Sequence, residues 1–214
     1  MHQNFRSQDN SDICRFCDPP DKSRILLETE HFYVMLSLGP ITEGYLLINS
    51  KFHYDCCGSF TGIVASEFDR VIAVVQNIQL QVYGQCILYE HGRAGSCLQF
   101  SQPSNHCFHA HMHCVPVSVN INNLIANTQY PVYAESFEDF RKIYQQSKNP
   151  YLFVCDEEMK IHFIKSDIRK QYLRYLVSSQ LGKEELWDWS TYQRWEVISA
   201  AQQKLKPYFD ALSA

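Results

Sequence analysis

Between Asn105 and Val117 the chain reads NHCFHAHMHCVPV, which sets His109, His111 and His113 at alternate positions. In a strand, residues two apart share a face, so the imidazoles project together while Ala110, Met112 and Cys114 pack into a core behind them. A neutral imidazole is the common state of histidine near pH 7 and is a nucleophile without prior activation. At a rise of roughly 3.3 Å per residue, His109 and His113 stand about 13 Å apart, too far to converge on one metal ion unless the strand bends. The spacing therefore predicts a division of labour. One end histidine is oriented or metal-bound, the middle one is reactive, and the other end hydrogen-bonds substrate oxygens. A single strand histidine is usually a satisfied polar residue, but three on one face are hard to explain as packing. For His91 and His106 packing is the default reading.

The second chemical signal is Cys14-Arg15-Phe16-Cys17, a metal-knuckle spacing that also occurs in redox proteins. A redox pair of the thioredoxin kind needs its second cysteine in the first turns of a helix. Asp18-Pro19-Pro20 follows immediately and stops a helix from propagating. Zinc is preferred over redox chemistry, and over a pair of surface thiols, and a closed tetrahedral site then needs two further ligands. Cys56-Cys57 compete for that role, although adjacent cysteines reach one tetrahedral centre only with difficulty.

The elements that must position these groups follow from apolar patterning. Ile25–Leu36 and Gly44–Asn49 read as strands separated by a turn at Gly39-Pro40, an early antiparallel pair. Val64, Phe68, Val71, Val75, Ile78 and Val82 fall on one stripe of a helix that ends near Gly84 and lies across the sheet. Gln85–Tyr89 is a strand, residues 92 to 105 a loop, and Phe108–Val117 the histidine strand. Tyr151–Ile164 reads as a hairpin turned at Asp156 to Glu158. Two amphipathic helices follow, one through Ile168, Tyr172, Tyr175 and Leu176 to Gly182. The other opens at a capping box, Ser190 to Gln193, and carries Trp195, Ile198 and Leu205 before Pro207. Strands mixed with helices without regular alternation predict an α+β fold. Residues 1–120 are expected to hold the chemical domain with its N-terminal zinc knuckle, and 121–214 an extension packed on it.

The 214 residues, 45% hydrophobic with a formal charge of -4, suit one well-packed domain with an appended segment. No apolar run approaches the ~18 residues of a bilayer span, and the polar stretch from Met1 to Asp12 lacks the core of a signal peptide. A cytoplasmic location without a membrane partner is expected. The nine cysteines form no secreted framework, in keeping with a reducing compartment. Mild acidity argues against a nucleic-acid partner bound by blanket phosphate neutralisation.

The segment His109-Ala110-His111-Met112-His113-Cys114-Val115, followed by Pro116, resembles the signature of the histidine triad family, His-x-His-x-His with apolar residues after it. The resemblance covers roughly Cys14 to Val117. It implies an antiparallel sheet with a long helix packed on it, here with a C-terminal helical extension, and a nucleotide substrate. It also implies that His111 attacks the α-phosphorus to form a covalent nucleotidyl-histidine. His113 would contact the phosphate and assist the leaving group, and a partner on the other ring nitrogen would fix the tautomer of His111. Asn105 and His106 stand where the family's Gly-Gln-Ser-Val lead-in places its phosphate-binding Gln and Ser, a departure from the pattern. Glu90-His91-Gly92, with Gln171, Arg174 and Trp187-Asp188-Trp189, is similar to a bacterial branch in which Glu-His-Gly precedes the His-Ala-His strand. In members with this knuckle, a structural zinc is completed by a histidine after the second core strand and by the first triad histidine. The implied ligand set is therefore Cys14, Cys17, His53 and His109, tying the knuckle behind the nucleophile. A homodimer formed by continuing the sheet is a further expectation.

Transferase branches of the superfamily carry Gln at the third triad position, so His113 favours a hydrolase of nucleoside phosphoramidates or dinucleoside polyphosphates. A nucleotidyltransferase or phosphorylase using the same intermediate is the alternative. A catalytically silent zinc-binding interaction module with Trp187, Trp189 and Trp195 on its surface is a third, although tryptophans so placed usually belong to the core.

Overall fold

The computed structural model describes residues 14–94, 108–126, 128–166 and 168–212. Its strands are β1 (Ile25–Glu28), β2 (Phe32–Leu36), β3 (Leu46–Ser50), β4 (Ile87–Gly92), β5 (His111–Val115), β6 (Val132–Tyr133), β7 (Tyr151–Cys155) and β8 (Met159–Phe163). The helices are α1 (Gly62–Tyr83), α2 (Phe137–Ser147), α3 (Tyr172–Gln180) and α4 (Trp195–Asp210). The strands make one sheet in the order β1-β2-β3-β5-β4-β7-β8-β6, with every neighbouring pair antiparallel. The fold is α+β. No helix among the described residues is long and apolar enough to cross a membrane.

Strand alternation divides the interior into two cores. Phe32, Val34, Ile48, Met112 and Cys114 face the buried stripe of α1, Val64 to Ile78, together with residues of α2 and α4. The alternate residues Tyr33, Tyr45, Leu47, Tyr89 and Val115 meet Leu173, Leu176 and Val177 of α3 on the opposite face. Because both faces are covered, β2, β3 and β5 are buried throughout, which explains the unbroken apolar run of β2. α1 stops at Gly84, whose φ of 76 lies in the left-handed region that terminates helices. β7 hydrogen-bonds to β4 from Leu88 to Gly92, so residues beyond 121 extend the sheet begun by those before it.

Several elements differ from the sequence-based expectation. Ile25–Leu36 is a tight hairpin and not one strand, because the Glu67 carboxylate of α1 accepts from both the backbone N–H and the ring Nδ1 of His31 at the turn, at 2.8 and 2.6 Å. Strand β4 runs on through Glu90, His91 and Gly92, where a loop was expected from residue 92. The expected capping box does not open α4. Asp188 accepts from the backbone N–H and hydroxyl of Ser190 and from the Thr191 hydroxyl, while Arg194 is the residue before the helix and donates to the carbonyls of Pro40 and Ile41. Pro207 lies inside α4, which continues to Asp210. Helix α2 was not expected. Its usable signal was the Ser136-x-x-Asp139 start, where the Ser136 side chain accepts from the Asp139 N–H at 3.1 Å.

Glu90 and Gly92 face away from His91, a consequence of strand alternation. Glu90 accepts from the Cys57 N–H at 2.7 Å and from the Tyr151 hydroxyl at 2.5 Å, pinning the turn at residues 57–59 to the sheet. A side chain at Gly92 would meet the Tyr151 ring at 2.0 Å. Burial raises the Glu90 carboxyl to about 7, against the hydrogen bonds from Tyr151 and Cys57 that lower it. Its neutral form is thus favoured in the folded chain, and that stabilisation, complete below the unfolded value near 4.5, is lost as pH rises through 7. Glu90→Gln, which cannot ionise, is expected to flatten a decline of about 3 kcal/mol in unfolding free energy between pH 5 and 8. Urea titrations of both proteins across that range check it, and equal slopes would count against it.

Candidate functional site

The three histidines of this row have different surroundings. His109 precedes β5, and its Nε2–H donates to the Ser50 carbonyl at 2.8 Å, which leaves Nδ1 with a lone pair. That Nδ1 lies 3.4 Å from Cys14 Sγ and 3.6 Å from Cys17 Sγ, while His53 Nδ1 lies 3.5 Å from Cys17 Sγ. The ligand atoms of Cys14, Cys17, His53 and His109 all fall within 4.8 Å of one another. Tetrahedral bonds of about 2.3 Å to sulfur and 2.0 to 2.1 Å to nitrogen give sulfur to nitrogen separations of about 3.6 Å. The four groups therefore fit one metal ion. Partial burial, reinforced by Cys14, pushes the Cys17 thiol up to about 12, a tendency that a bound cation reverses. Cys56 and Cys57 take no part, since both are buried in the α1 core.

His111 and His113 point to the other business of this face. They line a cavity of about 340 Å³, at the lower end of the size that holds a small-molecule ligand. His111 Nδ1–H donates to the His109 carbonyl at 2.7 Å, so the remaining ring nitrogen, Nε2, carries the lone pair. Burial lowers His111 to about 4, which keeps the ring neutral near pH 7. His113 Nδ1 is 2.7 Å from the Tyr45 hydroxyl, which in turn hydrogen-bonds Tyr89. The Tyr89 ring stacks on that of His113 at 4.6 Å, directly across the β4–β5 ladder.

The knuckle joins the two halves. Phe16, between the paired cysteines, stacks on the His111 ring at 4.7 Å and 16° and on the His109 ring at 5.4 Å. Its carbonyl accepts from the Tyr33 hydroxyl at 2.6 Å. Neither Phe16 nor the pair Tyr45 and Tyr89 was expected at the site from sequence. The only available signal for the tyrosines was that they share strand parity with the histidines' face.

The C-terminal segment completes the cavity. Gln171 and Arg174 line it, as do Trp189, Gln193 and Trp195. The tryptophans are not core residues as expected, and Trp195 is 48% exposed. His91 lines the same cavity. Asn105 and His106, expected to bind phosphate, lie outside the described residues.

No family model matches the sequence, and no curated protein matches it. Solved structures do resemble it. A Hit-like protein from Bartonella henselae is 13% identical, with a TM-score of 0.38 over 51% of this chain and 82% of that one. A hypothetical histidine triad nucleotide-binding protein from Sulfolobus tokodaii is 19% identical, with a TM-score of 0.37 over 63% and 91%. A yeast Ap4A phosphorylase in complex with AMP is 13% identical, with a TM-score of 0.40 over 72% and 64%. At such low identity and overlap these likenesses carry no weight for the chemistry, which rests on the geometry of the site.

Proposed function

We propose that this chain is a histidine-triad nucleotide hydrolase that works by double displacement at the α-phosphorus, with His111 as nucleophile. The observation that carries the reading is His111 itself, its Nδ1–H held by the His109 carbonyl while the residue lines the cavity. In the first step Nε2 forms a bond to phosphorus as the bond to the leaving group breaks, and the electron pair departs with that group. Water then attacks the same phosphorus, the phosphorus–nitrogen bond breaks, the pair returns to Nε2, and a proton is released. His113, tethered through Tyr45, offers a hydrogen bond to the bridging atom that departs. Substrates of this chemistry are nucleoside phosphoramidates and dinucleoside polyphosphates. Asn105 and His106 are proposed to add phosphate contacts.

Zinc at Cys14, Cys17, His53 and His109 has a structural role in this proposal. Four protein ligands would leave no open coordination position and two thiolates would balance the charge of a bound ion, so it would supply fixed geometry behind His109. The His109 carbonyl, and with it the tautomer of His111, is thereby held in place.

Two displacements invert phosphorus twice. Turnover of a substrate with a chiral phosphorothioate at the α-position, run in oxygen-isotope-labelled water so that the two terminal oxygens of the product differ, is expected to give net retention, read by ³¹P NMR, whereas inversion would mean direct attack by water. A second reading has one observation in its favour, the cavity wall built from Gln171 to Trp195, which provides room for an acceptor other than water. Adding phosphate, amines or sugar phosphates to the same reaction separates transfer from hydrolysis by the products formed.

A further inference from the structure

Among the described residues that line the cavity, polar atoms from distant parts of the chain are buried without partners. The Leu173 N–H donates to His91 Nε2 at 3.1 Å, which forces the neutral His91 ring to carry its proton on Nδ1. That Nδ1–H is shut off from solvent and has no hydrogen-bond partner among the described residues. His113 Nε2 is in the same condition, with Tyr45 holding the opposite nitrogen. So is Oε1 of Gln171. All three residues border the cavity. Buried polar atoms are nearly always paired, so several unpaired ones around one cavity mark where the complementary atoms of a ligand sit.

Arg174 specifies the charge of that ligand. It lines the cavity and is only 3% exposed. It donates to the carbonyls of Gly39, Leu186 and Trp187 at 2.6, 3.1 and 3.2 Å, and its guanidinium lies 5.1 Å from the centre of the Tyr45 ring. No ion pair among the described residues includes it. Carbonyl dipoles orient a guanidinium without neutralising it, and a buried cation lacking a counter-charge is costly. Its charge acts on both His91 and His113. The His113 ring is the neighbour common to the other two, 4.8 Å from His111 and 6.2 Å from His91.

We infer that His91 and Arg174, with the Gln171 amide beside them, form an anion subsite for the phosphoryl group next to the attacked phosphorus, so that the natural substrate is a phosphoanhydride. This rests on the His111 reading above. When Nε2 bonds to phosphorus, the phosphorus–oxygen bridge breaks and its electron pair stays on the bridging oxygen, which leaves as a terminal oxygen of the departing phosphate. No proton is needed. The charge that develops meets the guanidinium of Arg174 and the N–H of His91. A phosphoramidate differs at this point, because its nitrogen must first take up a proton to leave as a neutral amine, and that positively charged nitrogen would face a fixed cation.

The test uses the full chain with inorganic pyrophosphate as probe, measured by titration calorimetry, in the wild type and in Arg174→Gln, His91→Phe and Gln171→Leu. Arg174 also braces three carbonyls, so thermal melting accompanies each variant. The Gln171 side chain makes no hydrogen bond among the described residues, so its replacement leaves those braces intact. Pyrophosphate is expected to bind the wild type and to lose about tenfold or more in affinity in folded Arg174→Gln and His91→Phe, with a smaller loss in Gln171→Leu. The ratio of kcat/KM for a dinucleoside polyphosphate to that for a nucleoside phosphoramidate is expected to fall by a similar factor. Absence of pyrophosphate binding to the wild type, or equal affinity across the folded variants, would overturn the subsite. Should pyrophosphate binding depend on Arg174 and His91 while no nucleotide ever attaches to His111, the subsite stands and the nucleotidyl-histidine mechanism fails.

Discussion

His111→Ala is expected to reduce turnover of the preferred nucleotide by about ten-thousandfold or more, since loss of a covalent nucleophile removes a whole step and not one contact. The metal content should not change, because the four clustered ligands do not include His111. Elemental analysis and single-turnover rates on the same preparation check both halves. His111→Asn serves as companion, since alanine also deletes the stacking partner of Phe16. Near-normal turnover in either variant would place the chemistry elsewhere. A silent zinc module predicts a different pattern, no turnover in the wild type and partner binding that survives the substitution.

The second large effect is expected from loss of the metal. Cys14→Ala, or treatment of the wild type with a chelator, should loosen the knuckle, because the ion would tie Cys14 and Cys17 to His53 and His109. Phe16, between the paired cysteines, is also tied by the Tyr33 hydroxyl and by stacking on two imidazoles. Where free zinc stands about a thousandfold above its dissociation constant, the ion contributes about 4 kcal/mol to stability, and removing it should lower the melting temperature correspondingly. The cavity should lose its wall of Arg15, Phe16, Pro19 and Pro20 at the same time, raising KM about tenfold. Stoichiometric metal by mass spectrometry and a chelator-sensitive melting curve are the expected results. A chain that holds no ion and melts identically with chelator would contradict them.

Much of this architecture is legible in the residues. The stripe from Val64 to Ile78 repeats at helical spacing and is interrupted by Gly84, so α1 follows almost directly from the pattern. His111 and His113 alternate with Met112 and Cys114, and the sheet separates them onto two faces. The spacing argument that kept three imidazoles off one metal left open which end of the row turns away, and it was the family resemblance that placed His109 with the cysteines, near which its ring lies while His111 and His113 line the cavity. What was missed depends on distant partners. The β1–β2 turn is set by Glu67, thirty-odd residues away, and no local Gly or Pro announces it. α2 buries little more than Phe140 and Tyr144 on its apolar side, too short a pattern to stand out from a polar linker. Likewise, β7 occupies the side of β4 opposite β5, leaving β1 and β6 as the sheet edges at which any homodimeric continuation would have to add. Nor could spacing reveal that Gln171 and Arg174 would return to His91 from eighty residues further along the chain, since the packing of α3 on the sheet and the pairing of Leu173 with His91 bring them there.

The most direct test is to mix the protein with radiolabelled dinucleoside polyphosphate, quench within the first turnover at alkaline pH, and map the peptides by mass spectrometry. A nucleoside monophosphate attached to the ring of His111, formed and discharged at rates matching turnover, is the predicted result. Turnover with no adduct on any histidine, or an adduct confined to a different residue, would contradict the account.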